Sequence, residues 1–180
     1  AKTPTNTTPI INWSSVAGVD HYAVYRDGST TPIGTSTSAS YTDTTTLADG
    51  THSYTVATAD ASGNLSSQSP PVAIVVDKTA PVASNPAVTP ARILFTGTLS
   101  ISANATDALS GVVGGEYYID TDPGQGHGTS MTYSAATGKI TASRSVSSGA
   151  FSVGNHTVYM RTKDAAGNWS TTVSKTFFYV

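Results

Sequence analysis

The sequence contains the stretch HSYTVATADASGNLS at residues 52–66 and a related stretch, HTVYMRTKDAAGNWS, at residues 156–170. Each copy begins with residues that alternate between apolar and polar side chains, which is the pattern of a half-buried strand. Each copy continues into Asp-Ala-x-Gly-Asn-x-Ser, in which the Asp, Gly and Asn residues suit a tight turn. The two copies predict that the same strand–turn–strand unit closes both halves of the chain.

The rest of the chain shows the same kind of signal. Short alternating runs separated by Gly, Asp and Asn indicate strands, and no window places apolar residues at helical spacing. The predicted strands cover residues 10–13, 21–26, 40–42, 52–59, 72–76, 99–106, 113–120, 131–133, 140–146, 156–163 and 172–180. Regularly spaced short strands are typical of β-sandwiches. We therefore predict an all-β fold of two tandem antiparallel β-sandwiches.

A proline-rich segment separates the two halves. Pro81, Pro86 and Pro90 follow the apolar run at residues 72–76, and proline does not occur in central strands because it cannot donate to the ladder. We place one domain at residues 1–77 and the other at residues 78–180.

Composition excludes several classes of protein. The 180 residues are 11% charged with a net charge of -2, and they include no cysteine. This composition argues against a nucleic-acid interface and excludes disulfides and thiolate metal sites. No apolar run reaches the roughly 20 residues of a membrane-spanning helix. Low charge with abundant Ser and Thr favours an extracellular chain, secreted or on the cell surface, that binds no nucleic acid and does not insert into a membrane.

Residues 8–76 resemble a fibronectin type III domain. The resemblance lies in Trp13 on the second strand, in Tyr22, Val24, Tyr25 and Arg26 on the third strand, and in Leu47 ahead of Tyr54 and Val56. It implies a seven-stranded sandwich whose core contains Trp13, Tyr22, Val24, Leu47, Tyr54 and Val56. Only residues 1–7 are left for the first strand, which we therefore expect to be short or missing.

Residues 82–180 resemble a bacterial immunoglobulin-like domain. The resemblance lies in TDALSGV at 106–112, EYYIDTDPG at 116–124 and DAAGNWS at 164–170. Domains of this kind occur as tandem modules in secreted enzymes, adhesins and surface fibres. The resemblance implies a fold and a setting but no reaction, because function depends on sites added to a fold.

Four polar residues form a candidate metal site. Sandwich topology places the loops of Asp107 and of Asp164 with Asn168 at the same end of the second domain, where the linker residue Asp77 enters. Carboxylate and amide oxygens are the ligands that calcium prefers. Two interpretations stay open. Either these residues bind calcium at the domain junction, or each Asp only holds its own turn while Lys78 supplies an ordinary ion pair.

We find no catalytic residues and expect no enzyme activity. His52 and His156 occupy the same place in the two repeats, which favours a structural role. The mid-strand Glu116 is expected to face solvent. Residues 120–128, which include His127, are interpreted as a solvated loop.

Three functions remain in consideration. The leading hypothesis is a non-catalytic structural or adhesive module pair that acts as a spacer or display stalk of a surface or secreted protein. One alternative is an accessory carbohydrate-binding module of a secreted hydrolase, whose outward aromatic candidates are Tyr25, Tyr117 or Tyr118, Tyr159 and Trp169. The other is a fibre subunit assembled by strand donation. The corresponding partners are other domains of a larger surface protein, glycans or neighbouring subunits. No cofactor is expected besides calcium.

Overall fold

The computed structural model describes residues 3–180, which form fourteen strands joined by turns. The chain divides into two compact units, the first ending at Lys78 and the second running from Thr79 to Val180. Within the described residues, no helix is long and apolar enough to cross a membrane. The all-β prediction is confirmed, because the elements of the described chain are all strands.

Residues 3–78 of the first unit contain six strands in two sheets. They are β1 (Ile10–Asn12), β2 (His21–Arg26), β3 (Gly34–Ser36), β4 (Ser40–Thr42), β5 (Gly50–Ala59) and β6 (Val72–Val76). Strands β1 and β4 form a two-stranded sheet, and the other sheet has the order β3-β2-β5-β6. All of these pairs are antiparallel.

The core of the first unit lies between these two sheets. It contains Ile11, Val24, Tyr54 and Ile74, against which half-buried side chains such as Trp13 pack. Residues 3–9 form no strand, and Thr5 makes only one parallel bridge, to Val76. The expectation of a short or missing first strand therefore agrees with the structure. Trp13 is half-buried instead of fully buried as the resemblance implied.

The second unit contains eight strands. They are β7 (Val82–Thr89), β8 (Arg92–Ile93), β9 (Gly97–Thr106), β10 (Val112–Ile119), β11 (Thr129–Ser134), β12 (Lys139–Val146), β13 (Gly154–Asp164) and β14 (Val173–Tyr179). They form one sheet of the order β7-β9-β12-β11-β10-β13-β14-β8. The first half of β11 pairs with β10 and its second half with β12. The sheet thus folds over on itself around one core, which includes Leu99, Ile140, Met160 and Phe177.

Two strands of the second unit were not predicted, and both lie at the ends of the sheet order. Strand β7 contains Pro86, which sits in an irregularity of the pairing between Ser84 and Ala87. An edge strand tolerates proline there because one side of its backbone has no partner strand. Strand β8 is only two residues long and pairs in parallel with β14. The short β3 of the first unit was also missed.

Candidate functional site

The two Asp-Ala-x-Gly-Asn turns share the hydrogen bonds that join the Asp to the Asn four residues onward. In the second unit, Asp164 Oδ1 accepts the backbone N–H groups of Gly167 at 2.7 Å and Asn168 at 2.8 Å, and Oδ2 accepts Asn168 Nδ2 at 2.7 Å. In the first unit, Asp60 accepts the backbone and side-chain N–H groups of Asn64, both at 2.8 Å. These hydrogen bonds, from the Asn64 side chain foremost, lower the pKa of Asp60. The repeated Asp is therefore an acceptor that closes each turn.

Two of the predicted metal ligands come together within the second unit. A carboxylate oxygen of Asp107 and one of Asp164 lie within 4.8 Å of each other. Asp107 Oδ2 also accepts the backbone N–H groups of Leu109 at 3.1 Å and Gly111 at 2.7 Å. Asp164 is only 1% exposed. Asn168, the third predicted ligand of this unit, is joined to Asp164 by the turn itself.

The fourth predicted ligand, Asp77, belongs to the first unit. It directly follows β6 and is buried, and its backbone N–H donates to the Thr5 carbonyl at 2.9 Å. The neighbouring Lys78 donates its ammonium group to the Leu47 carbonyl at 2.9 Å and its backbone N–H to Asp49 at 3.0 Å. Lys78 thus has hydrogen-bond partners within its own unit.

A second repeated feature joins a histidine to an aspartate. His156 Nδ1 lies 2.6 Å from Asp120 Oδ2 and His156 Nε2 lies 2.8 Å from the Ser152 carbonyl. Asp120 Oδ1 accepts the backbone N–H of Thr157 at 2.9 Å. His52 has the same arrangement with Asp27 in the first unit, where the nitrogen–oxygen distance is 2.8 Å. The agreement of two units in this detail points to a structural role for both histidines.

The repeated pairs shift the pKa values of both partners. The hydrogen bond to Asp27 raises the pKa of His52. Burial acts to lower the pKa of His156, but the hydrogen bond to Asp120 outweighs it and the pKa is raised. Burial acts to raise the pKa of Asp120, whereas the hydrogen bonds from His156 and Thr157 lower it on balance. The folded state therefore favours the charged form of both partners.

The third feature is a cluster centred on Arg161, which we call the Arg161 cluster and which also contains Glu116, Asp122, Tyr118 and Trp169. Arg161 Nε donates to Glu116 Oε1 at 2.6 Å, and its two terminal nitrogens donate to the Asp122 carboxylate, both at 3.1 Å. The guanidinium carbon lies 5.2 Å from the Tyr118 ring centroid and 5.8 Å from that of Trp169. Glu116 and Arg161 are 3% and 4% exposed, so the expectation of a solvent-facing Glu116 was wrong.

The loop at residues 120–128 is fixed by this cluster. Glu116 accepts the backbone N–H groups of Gly126 at 3.0 Å and Gly128 at 2.9 Å. A Cβ atom on Gly128 would lie 3.1 Å from the Glu116 side chain and 2.9 Å from the Tyr117 carbonyl oxygen. Gly124 N–H and Arg161, in that order, lower the pKa of Asp122. The loop is exposed, but its two ends are held by Glu116 and Arg161.

The first unit has its own buried carboxylate, which sequence reasoning missed. Asp43 is fully buried and accepts hydrogen bonds from Arg26 at 2.5 Å and from the Tyr54 hydroxyl at 2.8 Å. Burial is the main cause that raises the pKa of Tyr54, and the hydrogen bond to Asp43 adds to it. Arg26 belonged to the quoted fibronectin-like pattern, but no sequence signal paired it with Asp43.

The aromatic candidates divide into two groups. Tyr25 and Tyr117 are buried, so neither is an outward binding residue. Tyr118 and Tyr159 are half-buried and stacked, with ring centroids 5.1 Å apart. Trp169 is also half-buried, and Lys163 lies 5.5 Å from its ring centroid. We call the rings of Tyr118, Tyr159 and Trp169, together with Arg161, the aromatic row of the second unit.

A cavity of about 420 Å³ opens in the first unit. Its lining includes Ile11, Trp13 and Tyr22 on one side and residues 66–70 on the other. The indole Nε1 of Trp13 is buried and has no hydrogen-bond partner among residues 3–180. The cavity therefore lies beside β1, whose only partner strand in the described chain is β4.

Comparison with known proteins finds two curated relatives and similar solved structures. No protein-family model matches it. It is 31% identical to exoglucanase B of Cellulomonas fimi over 171 residues, which is 92% of this chain but 15% of that protein. It is 41% identical to a poly(3-hydroxybutyrate) depolymerase of Ralstonia pickettii over 56 residues, or 31% of this chain and 11% of that protein. The chain thus spans only a small part of these curated relatives.

Among solved structures, the fibronectin(III)-like modules of Clostridium thermocellum CbhA match 98% of this chain and 87% of theirs. The TM-score is 0.55 at 17% sequence identity. At this identity the likeness shows the fold alone, which is of the fibronectin III-like sandwich type.

Proposed function

We propose that the chain is a non-catalytic, extracellular pair of modules that acts as a spacer or display stalk within a larger secreted or cell-surface protein. Its partners in that role are the neighbouring domains of the same protein. The repeated Asp–His pair is the observation that carries this proposal. A catalytic pair is expected in one unit only. The pairs His52–Asp27 and His156–Asp120 instead lie at the start of the equivalent strand in both units, as expected of a structural element.

The relatives support the proposal through their length. The match to exoglucanase B covers nearly all of this chain but a small share of that protein, as expected for an accessory segment beside a catalytic domain. The match to the depolymerase, another hydrolase by name, covers 31% of this chain and 11% of that protein, so it too is a small part of a longer protein. Similar segments in two hydrolases with different substrates by name are expected of a spacer rather than of a catalytic domain.

Cellulose sedimentation tests the proposal. The purified chain is mixed with insoluble cellulose, and the fraction that sediments is compared with that of bovine serum albumin. A spacer pair should remain in the supernatant to the same extent as albumin. Saturable retention on cellulose would contradict the spacer role and support the alternative described next.

A carbohydrate-binding module is the second candidate, and the aromatic row favours it. Aromatic faces give the apolar contact area against which a sugar ring packs. In this case Trp169→Ala should abolish retention on cellulose, while Trp13→Phe, which leaves the second unit unchanged, should leave it intact. Equal retention of both variants would exclude the aromatic row as the cellulose-binding surface.

A fibre subunit is the third candidate, favoured by the cavity beside β1. An extended segment of another copy would pair with the open edge of β1, because unpaired strand edges accept further strands. Sedimentation velocity should then show polymers that increase with protein concentration. A single monomeric species at all concentrations would contradict strand donation.

We also propose, on the sequence argument, that Asp77, Asp107, Asp164 and Asn168 bind calcium together. The short distance between Asp107 and Asp164 supports this, because a cation would remove the repulsion between two carboxylates. Calcium should raise the melting temperature, since a ligand of the folded state stabilises it. Asp164→Asn should remove the increment and Asp60→Asn, in the equivalent turn of the first unit, should not. Identical melts in calcium and in chelator would leave these residues as turn acceptors.

A further inference from the structure

A cavity of about 270 Å³ lies within the second unit, at the ends of several strands. Its lining includes Tyr118 from β10, His127 from the following loop, Thr129 from β11, Arg144 from β12 and Phe151 from the loop before β13. The volume is below the range of roughly 300–1,000 Å³ that holds drug-sized ligands. The cavity therefore suits a ligand about as large as one sugar ring.

Arg144 occupies a position of β12 at which an apolar residue is expected. Along β12, the positions of Ile140, Ala142, Arg144 and Val146 are buried or half-buried, and the positions between them are exposed. Ile140 and Val146 belong to the core of the unit, and Ala142 packs against it. Side chains two residues apart lie on the same face of a strand. Arg144 thus shares the inward face of β12.

No acidic partner compensates this arginine. None of the ion pairs within residues 79–180 includes Arg144, and its Nε atom is buried without a hydrogen-bond partner. Its guanidinium carbon lies 5.5 Å from the Phe151 ring centroid. Burying a charged group without a counter-charge or hydrogen bonds is costly.

The acidic side chains of the second unit are all engaged elsewhere. Glu116 and Asp122 bind Arg161, and Asp120 binds His156. Asp107 and Asp164 accept backbone N–H groups in their own loops. The fold therefore leaves one inward-facing guanidinium, beside a cavity, with no side-chain carboxylate to receive its hydrogen bonds.

We propose that this cavity binds a small carboxylate of the size of a single acidic sugar, with Arg144 as the group that recognises the acid. A guanidinium presents a planar fork of N–H donors that matches the two oxygens of a carboxylate. The imidazole of His127 and the hydroxyl of Thr129 offer hydrogen bonds to sugar hydroxyls, and the Tyr118 and Phe151 rings offer apolar contact area. This site is independent of the spacer role, which requires no ligand.

Nuclear magnetic resonance titration of the full chain tests the site. Sodium glucuronate should cause saturable shifts of the backbone amide signals of cavity residues such as His127, Thr129 and Phe151. Sodium acetate supplies the carboxylate without the ring, and glucose supplies a ring without the charge. Saturable shifts from glucuronate, with or without shifts from acetate, support the proposal. Absence of saturable shifts, or equal shifts from glucose, would overturn it.

Substitution of Arg144 gives the specific control. Arg144→Met should weaken glucuronate binding by about tenfold or more, because the charge-assisted hydrogen bonds are lost. Lys139→Met, which removes an exposed cation from the same strand, should leave binding unchanged. Arg144→Met should also leave the ligand-free chain about equally stable, since the half-buried guanidinium has no ion-pair partner to lose. If Arg144→Met binds glucuronate as the wild type does, the assignment is wrong.

A conservative variant covers the case in which Arg144→Met does not fold. Arg144→Lys keeps the charge but loses the planar fork, so it should bind glucuronate more weakly than the wild type. Wild-type affinity in Arg144→Lys would contradict recognition by the guanidinium fork.

Discussion

Removal of the Arg161 side chain charge should strongly destabilise the second unit. Arg161→Met leaves Glu116 buried without its counter-charge, and it also removes both hydrogen bonds to Asp122. With Glu116 at 3% exposure, the pair falls in the class for which loss of one partner costs about 3–5 kcal/mol. For a unit of this size, that cost lowers the melting temperature by roughly 12 °C or more.

The double variant Glu116→Gln/Arg161→Met separates the charge from the packing. It removes both charges, so part of the lost stability should return, whereas Glu116→Gln alone should cost less than Arg161→Met because Asp122 still pairs with Arg161. The amide introduced at position 116 keeps a carbonyl oxygen as an acceptor for one of the loop N–H groups.

Urea unfolding monitored by tryptophan fluorescence is the assay. The chain has two tryptophans, Trp13 in the first unit and Trp169 in the second, so a Trp13→Phe background reports the second unit alone. Urea is uncharged and does not screen the ion pair. A loss below about 1 kcal/mol in Arg161→Met, as for a surface salt bridge, would refute the assignment of a buried, stabilising pair.

Two further predictions concern pH and packing in the second unit. Because the pKa of His156 is raised in the folded state, its contribution to stability is complete below its unfolded pKa of about 6.5 and is lost as pH rises through its folded pKa. Because the pKa of Asp120 is lowered in the folded state, its contribution is complete above its unfolded pKa of about 3.9 and is lost as pH falls through its folded pKa. The difference in urea midpoint between wild type and Asp120→Asn should therefore be largest near pH 5, and a constant difference from acid to alkaline pH would contradict the linkage. Gly115→Ala should destabilise the unit more than Gly114→Ala in the same assay, because a Cβ would lie 2.5 Å from the Arg161 carbonyl at Gly115 but 3.3 Å from the nearest atom at Gly114; equal midpoints would contradict the close approach.

The sequence predicted the features that depend on local pattern. Alternation located most strands, and the Asp-Ala-x-Gly-Asn motif predicted both turns, because an Asp that accepts N–H groups two to four residues onward needs no distant partner. Strand β8 has too few residues to show alternation, and β3 (Gly-Thr-Ser) has no large apolar residue to mark a buried face. Strand β7 was excluded by a rule on proline that does not apply to an edge strand.

Features that depend on strand register could not be predicted from the sequence. Glu116 was expected in solvent because nothing in its own strand pairs with it, yet β13 places Arg161 directly opposite. Asp43 likewise pairs with Arg26 and Tyr54 across the first unit. A one-residue change of register would move each partner to the other face, and the sequence alone does not fix the register.

The inward position of Arg144 had a sequence signal. The alternation of Ile140, Ala142, Arg144 and Val146 places a charged residue on the apolar side of a predicted strand. The sequence did not show that each carboxylate of the second unit binds a group other than Arg144. That assignment is what leaves Arg144 without an ion-pair partner. A charged residue on an apolar face is thus a feature to examine as soon as the strand is predicted.

Hydrolysis by the wild-type chain tests the central claim of a non-catalytic module pair most directly. The purified chain is incubated with cello-oligosaccharides and with hydroxybutyrate oligomers, the substrates suggested by the names of the two hydrolase relatives, beside the folded Asp120→Asn variant. The account predicts no product above the buffer blank for either protein, together with reduced urea stability of Asp120→Asn. Turnover by the wild type that disappears in Asp120→Asn, without loss of stability, would make the Asp–His pair of the second unit catalytic and contradict the account.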